Sequence, residues 1–132
     1  MRKLTHQELV EQRLSEAEAS TTPRFPVIVI LDDIRSLYNV GSIFRSADAF
    51  RVQQLILTGF TPTPPRKEIA KTALGADTTV PWTYVPTAVE AVTSLRANGT
   101  RVLAVELTEG AIPIGELGTG NGEPGTRHLA PG

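Results

Sequence analysis

The stretch Val27-Ile-Val-Ile-Leu31 is followed directly by Asp32-Asp-Ile-Arg-Ser-Leu-Tyr-Asn-Val-Gly-Ser-Ile-Phe-Arg-Ser-Ala-Asp48. The first five residues are all apolar and mostly β-branched, which is typical of a central parallel strand covered by helices on both faces. From Val40 onward the apolar residues change to helical spacing. One side of this helix carries Val40, Ile43, Phe44, Ala47 and Phe50, and the other carries Gly41, Arg45 and Asp48. The pattern predicts a core strand, a polar loop and a helix that runs to about Arg51.

The elements that follow predict an α/β fold. Gln54-Leu-Ile-Leu-Thr58 is a second apolar strand, so strand, helix and strand should form a right-handed crossover. The further predicted elements are a short helix from Arg66 to Leu74 closed by Gly75, an edge strand at Val80–Val85, a helix from Thr87 to Ala97 and a buried strand at Val102–Val105. We therefore expect a mostly parallel sheet with helices on both faces.

Both ends of the chain differ in composition from its middle. Thr5 and Glu8 form a capping-box pattern before a narrow apolar stripe, which predicts an amphipathic helix. After Leu117 the chain is rich in Gly and poor in apolar residues, so we expect disorder. The expected organisation is an N-terminal helix and linker at 1–22, an α/β domain at 23–117 and a Gly-rich tail at 118–132.

Composition excludes several classes of function. The 132 residues contain no Cys, and the two histidines, His6 and His128, are far apart, so we expect neither disulfides nor a metal site. No apolar run approaches the roughly 20 residues that span a bilayer, and no secretion signal is visible, so we expect a cytoplasmic protein without membrane contact. Because the formal net charge is -1, any binding to RNA must rest on a local basic face.

Asn39, Gly41 and Arg45 are the candidate ligand-binding residues, since they follow the carboxyl end of the first strand. The Asn39 carboxamide can hold the loop or a substrate hydroxyl, and the alternative is a plain helix N-cap. Gly41 can let a phosphate or another backbone approach closely. Arg45 has a planar fork of donors suited to phosphate, and its alternative is a surface ion pair with Asp48 worth about 0.2–0.5 kcal/mol.

A second group of residues can surround this site. Arg24, Arg35, Arg66, Lys67 and Lys71 can form a basic rim that contacts phosphates, although a solvated charged face is equally compatible with the pattern. Trp82 and Tyr84 can stack on bases, but alternating aromatic residues near an edge strand also fit ordinary packing.

Three segments resemble one known family: the spacing Asn-x-Gly-x-x-x-Arg at 39–45, Lys71-Thr-Ala-Leu-Gly-Ala76 and Val105-Glu-Leu-Thr-Glu-Gly110. They resemble the SpoU (TrmH-like) branch of the SPOUT superfamily, which are knotted RNA methyltransferases. The resemblance implies an RNA (tRNA or rRNA) ribose 2′-O-methyltransferase that uses S-adenosylmethionine and acts as a homodimer. It assigns catalysis to Asn39 and Arg45, cofactor binding to Leu107 and Thr108, and RNA binding to Arg35, Gly41, Arg66, Lys67 and Lys71.

The resemblance covers residues from about Leu4 to Leu117 and then stops. SpoU enzymes continue with an apolar strand, a Gly-Asn-Glu-like loop and a segment that threads the trefoil knot, and Gly120-Asn-Gly-Glu-Pro-Gly125 does not match that loop in context. We therefore expect the N-terminal two-thirds of a catalytic domain, with marginal stability and weak S-adenosylmethionine binding. The alternatives are a noncatalytic RNA-binding or dimerisation fragment and a small nucleotide-binding domain, although the latter lacks a Gly-rich phosphate loop.

Overall fold

The computed structural model describes residues 2–5, 7–8 and 23–117. The elements are β1 (Phe25–Asp32), α1 (Leu37–Ala49), β2 (Val52–Thr58), α2 (Lys67–Ala73), α3 (Ala76–Thr79), β3 (Trp82–Val85), α4 (Ala88–Ala97) and a 3₁₀ turn (Ile114–Glu116). The chain divides into two compact units, Met1–Ala88 and Val89–Gly132. The sheet and helices α1 to α3 lie in the first unit, which also contains the candidate ligand-binding residues at 39–45.

The sheet has three parallel strands in the order β1-β2-β3. Leu57 pairs with Leu31 on one side and with Tyr84 on the other. The predicted parallel α/β fold is therefore confirmed, and the carboxyl ends of all three strands lie at one edge of the sheet. Helices α1 to α3 contribute side chains to the described core. The expectation of helices on both faces of the sheet stays a prediction.

Within the described residues β2, not β1, is the central strand. Leu55, Ile56 and Leu57 are all buried, whereas Val27 in β1 is 50% exposed. The prediction that β1 is the core strand is wrong because its apolar composition does not reveal how many neighbours it pairs with. Central position depends on contacts between distant parts of the chain.

The core of the first unit lies between β2 and helices α1 and α2. Its most buried side chains include Val40, Phe44, Leu55, Leu57 and Ile69. The predicted core positions of α1 are confirmed except for one at its end. Phe50 is 74% exposed because α1 ends at Ala49 and Phe50 is its C-cap.

The later elements of the first unit agree with the sequence pattern. The predicted helix at 66–74 is α2, which ends where Leu74 and then Gly75 adopt positive φ angles of 51° and 92°. A short helix that the sequence did not predict, α3, follows at once. The predicted edge strand is β3, which pairs only with β2 among the described residues.

Of the two elements predicted for the second unit, the helix is present and the strand is not. Helix α4 is confirmed, and it ends at Asn98-Gly99, where Gly99 has a φ of 81°. Val102–Val105 is not a strand, and Val105 is 88% exposed. An apolar segment forms a strand only when a neighbouring strand accepts its hydrogen bonds, and the described residues place none beside it.

The described part of the N-terminus confirms the capping box. The Thr5 amide donates to Glu8 Oε2 at 2.7 Å, and the Glu8 amide donates to Thr5 Oγ1 at 3.3 Å. Thr5 Oγ1 also donates to Glu8 Oε2 at 3.0 Å. Hydrogen bonds from the Arg2 guanidinium and from Thr5 lower the pKa of Glu8 from 4.5 to about 2. The rest of the predicted amphipathic helix and the predicted disordered tail at 118–132 lie outside the described residues.

Candidate functional site

Helix α1 begins at the carboxyl edge of the sheet and presents Asn39 in its first turn. Ser36 is the N-cap, and its hydroxyl accepts a hydrogen bond from the backbone amide of Asn39 at 3.2 Å. The alternative interpretation of Asn39 as the N-cap is therefore wrong. The Asn39 side chain is exposed, and its carboxamide has no hydrogen-bond partner among the described residues. It can both donate to and accept from a ligand.

Gly41 is buried where α1 crosses α2. A Cβ atom at this position would lie within 3.0 Å of both Thr72 Oγ1 and the Ile69 carbonyl oxygen, closer than real Cβ atoms approach. The prediction that Gly41 permits close approach of another backbone is thus confirmed. The prediction that it faces away from the core is wrong, and the RNA contact assigned to it has no exposed surface to use.

Arg45 lies on the exposed half of α1. It follows Asn39 by six positions, which corresponds to about 9 Å along the helix axis. The alternative ion pair with Asp48 does not form within the described residues, and Asp48 Oδ1 accepts a hydrogen bond from Thr79 Oγ1 at 3.4 Å. Within the described part of the chain, the Arg45 guanidinium has no hydrogen-bond or ion-pair partner. Its donors are therefore available to an external anion.

Arg45 and Lys71 line one open hollow of about 530 Å³, which we call the Arg45 hollow. Its lining residues are Ser42, Arg45, Ser46, Ala49, Phe50, Lys71, Thr72 and Leu74. The lining contains two cations and three hydroxyls but no carboxylate. This composition suits a phosphate with a neighbouring sugar, since charged donors bind the anion and hydroxyls can donate or accept.

The close crossing of α1 and α2 holds Lys71 in this position. Thr72 Oγ1 donates to the Tyr38 carbonyl at 2.8 Å, which ties the first turn of α1 to α2. The Lys71 ammonium lies 5.9 Å from the centre of the Tyr38 ring, and Tyr38 is 48% exposed. The segment at 71–76 and the segment at 39–45 are thereby brought together by Gly41 and Thr72.

Of the other predicted basic residues, three are exposed and one is bound to backbone carbonyls elsewhere in the first unit. The Arg35 guanidinium lies 5.3 Å over the Phe60 ring, and Arg66 forms a long 3.9 Å ion pair with Glu68. Lys67 is the exposed first residue of α2. Arg24 is not part of the rim, because it donates to the Val52 carbonyl at 3.2 Å and to the Thr79 carbonyl at 3.1 Å. Val52 lies at the opposite, amino end of β2.

Leu107 and Thr108 belong to the second unit and lie in a segment without regular secondary structure. Leu107 is 99% exposed, and Thr108 is exposed as well. An apolar ligand surface requires side chains that exclude water from several directions. In the described residues these two side chains do not build a cofactor wall.

Sequence reasoning missed several residues that line or frame the site. Ser42 and Ser46 share the exposed half of α1 with Arg45, and the helical spacing carried that information. Phe50 and Leu74 line the Arg45 hollow because each lies at a helix C-terminus, where the chain turns and an apolar side chain stays exposed. No sequence pattern marked Phe60 as the partner of Arg35.

A parallel α/β domain with polar and cationic groups at the carboxyl edge of its sheet belongs to a large class of ligand-binding proteins. Residues 26–119 match the model of the SpoU rRNA Methylase family, and the chain belongs to this family, as the sequence motifs indicated. The chain is also 30% identical over 83 residues to a putative TrmH family tRNA/rRNA methyltransferase from Staphylococcus epidermidis. That match covers 63% of this chain and 33% of the relative, so the chain spans about a third of that protein's length.

Proposed function

We propose that this chain acts in methylation of tRNA or rRNA at ribose 2′-hydroxyls, and that its first unit forms the RNA-binding side of the enzyme. The observation that carries the proposal is the exposed Arg45 guanidinium, which shares an open hollow with Lys71 and has no partner among the described residues. Membership of the SpoU family supports RNA as the substrate.

Arg45 and Asn39 have different roles in this proposal. A guanidinium stays protonated in proteins, so Arg45 orients the substrate and stabilises negative charge rather than removing a proton. The Asn39 carboxamide holds the ribose hydroxyl through a donated or accepted hydrogen bond. The contribution of both side chains is mainly positioning, which brings reacting groups into line and removes an entropic barrier.

Phosphates on either side of the bound nucleotide would contact the remaining basic residues. Arg35, Lys67 and Arg66 are all exposed, and Lys71 already lies in the Arg45 hollow. Such contacts provide affinity and register but do not read the base sequence. They supply the local basic face that the net charge of -1 requires. A homodimer and a cytoplasmic location belong to the same proposal.

The methyl donor implied by the family is S-adenosylmethionine. The exposed side chains of Leu107 and Thr108 do not fit it as they stand, since they enclose no adenine-sized space. The proposal therefore assigns the described residues to RNA and derives no step from the cofactor. We expect weak binding of S-adenosylmethionine by this chain alone, which isothermal titration measures directly.

Methyl transfer to unmodified tRNA and rRNA transcripts tests the proposal. The chain is incubated with labelled S-adenosylmethionine, alone and with the C-terminal part of the Staphylococcus epidermidis relative supplied, and digested RNA is analysed by mass spectrometry. We expect 2′-O-methylnucleosides whose yield falls strongly in Arg45→Lys, because lysine lacks the planar fork. Affinity for S-adenosylmethionine should stay nearly unchanged.

The matched control is Arg96→Lys, which changes another exposed helical arginine, on α4. Equal loss in both variants would contradict the role of Arg45, and methylation on bases would contradict the ribose assignment. RNA binding that depends on Arg45 without any methyl transfer would favour a noncatalytic RNA-binding module. The exposure of Leu107 and Thr108 supports that second candidate.

A further inference from the structure

A second hollow lies between β3 and the loop that follows β2, and it shares no lining residue with the Arg45 hollow. It has a volume of about 630 Å³, and we call it the proline-loop hollow. Its lining residues are Gly59, Phe60, Thr61, Pro62, Thr63, Pro64, Pro65, Arg66, Trp82 and Tyr84. Three aromatic rings, three prolines and one arginine therefore surround a single open space.

The aromatic rings are available to a ligand. Phe60 is 55% exposed and Tyr84 is 48% exposed, while Trp82 is half-buried and packs against the core. Rings of this kind, open on one side and anchored on the other, stack on nucleobases, because every base has a flat π surface. A planar ligand is thus a better fit than a compact polar one.

The proline loop at 59–65 is held in place by hydrogen bonds to β1, to β3 and to the loop between β1 and α1. Thr61 is 3% exposed, and its hydroxyl donates to the Leu31 carbonyl and accepts from the Ile34 amide, both at 3.0 Å. The Phe60 amide donates to Asp33 Oδ1 at 3.0 Å, and Tyr84 donates its hydroxyl hydrogen to the Gly59 carbonyl at 2.7 Å. A loop fixed in this way loses little entropy when a ligand binds.

The adjacent charges favour an anionic ligand. The Arg35 guanidinium lies over one face of Phe60, and no hydrogen bond or ion pair of this exposed side chain is formed within the described residues. Arg66 lines the hollow itself and makes only the long ion pair with Glu68 among the described contacts. The lining residues include no carboxylate, and the Asp33 carboxylate beside the loop already accepts the Phe60 amide hydrogen. A flat ligand with attached negative charge matches this arrangement, and a nucleotide of single-stranded RNA has both features.

Arg35 also links the two sites along the surface. It lies in the loop between β1 and α1, one residue before the N-cap of α1 and four residues before Asn39. Arg35 therefore lies next to Phe60 of the hollow in space and close to Asn39 along the chain.

We propose that the proline-loop hollow binds a nucleobase of single-stranded RNA beside the nucleotide held at Asn39 and Arg45, with Phe60 and Tyr84 stacking on the base and Arg35 contacting its phosphate. This inference rests on the proposed RNA-binding function. It adds a stacking site, which requires the target to be unpaired over at least two nucleotides.

Trp82 provides a direct test because it is the single tryptophan of the chain and it lines the hollow. Its fluorescence is titrated with a single-stranded RNA hexamer and with a hexamer of the same length that lacks one or more bases. We expect quenching by the complete hexamer and much weaker quenching by the abasic one. Phe60→Leu should weaken hexamer binding about tenfold, since leucine has no aromatic face on which a base can stack.

The matched control is Phe25→Leu, which changes a 65% exposed aromatic residue at the amino end of β1. It should bind the hexamer like the unaltered protein. Equal binding by Phe60→Leu and Phe25→Leu, with unchanged Trp82 emission, would overturn the stacking site. If the hexamer still binds in an Arg45-dependent manner in that case, the proposed function survives. If no variant binds RNA at all, the proposed function fails with it.

Discussion

Replacement of Gly41 by alanine tests the crossing of α1 and α2 that builds the Arg45 hollow. The added methyl group would lie within 3.0 Å of Thr72 Oγ1 and of the Ile69 carbonyl oxygen, and 3.1 Å from the Ala73 amide nitrogen. The Thr72 hydroxyl can rotate away, but the Ile69 carbonyl belongs to the backbone of α2. The helices must therefore move apart.

The expected effect on stability combines three terms. Overpacking of a tight core contact costs about 1–3 kcal/mol. Loss of the hydrogen bond from Thr72 to the Tyr38 carbonyl adds about 0.5–1.5 kcal/mol. The higher helix propensity of alanine over glycine returns about 1 kcal/mol. The free energy of unfolding should therefore fall by about 2 kcal/mol.

Urea denaturation followed by Trp82 fluorescence and by circular dichroism measures this change. Ser42→Ala is the matched control, since Ser42 is the next residue on α1 and is exposed. The double variant Gly41→Ala with Thr72→Ala should recover only part of the loss, because the clash with Ile69 remains. A midpoint for Gly41→Ala at or above that of the unaltered protein would show that α1 and α2 are not this close.

Three further predictions concern the core, the rim and the N-terminus. Leu57→Ala, at a fully buried position of β2, should lower the free energy of unfolding by about 3 kcal/mol. The control Leu74→Ala, at a 62% exposed position, should change it by less than about 1 kcal/mol in the same denaturation assay. Arg24→Ala should cost about 1 kcal/mol through its lost bonds to two carbonyls without changing RNA affinity, and a drop in affinity would return Arg24 to the basic rim. The lowered pKa of Glu8 means that its contacts stabilise the N-terminal turn above pH 4.5 and are lost as the pH falls towards 2. An NMR titration of the Glu8 carboxyl with a midpoint near 4.5 would contradict these contacts.

Local features of this fold were predictable from the sequence. Helix α1 follows from its 3.6-residue period, and α4 ends at Asn98-Gly99 because glycine takes the positive φ that closes a helix. Pro81 indicated that β3 lies at an edge, which is its position within residues 23–117, since proline cannot donate a ladder hydrogen bond. These signals depend only on neighbours within the same segment of the chain.

Features that depend on distant contacts were not predictable in the same way. Val27–Leu31 and Val102–Val105 have nearly the same apolar composition, yet the first is a strand and the second is not. The difference is the presence of β2 beside the first, which supplies hydrogen-bond partners. Composition reports that a segment can be buried, but it does not report what covers it.

In the candidate site, too, the local features were predictable from the sequence and those that depend on distant contacts were not. Exposure of Arg45 followed from its helical position, whereas burial of Gly41 arises from α2, which begins 26 residues later in the chain. Arg24 could not be separated from the other cations because its carbonyl partners lie far away in sequence. The pairing of Arg35 with Phe60 was hidden for the same reason.

The affinity of single-stranded RNA for Arg45→Gln and for Arg96→Gln, measured by fluorescence anisotropy over a range of salt concentrations, tests the central claim most directly. If the Arg45 guanidinium binds a phosphate, Arg45→Gln should bind RNA about tenfold more weakly at low salt. The slope of log affinity against log salt concentration should also become shallower by about 0.7, the value for one lost contact to a single strand. Arg96→Gln should leave both quantities unchanged. An affinity and a salt slope for Arg45→Gln equal to those of the unaltered protein would contradict the claim that this hollow holds RNA.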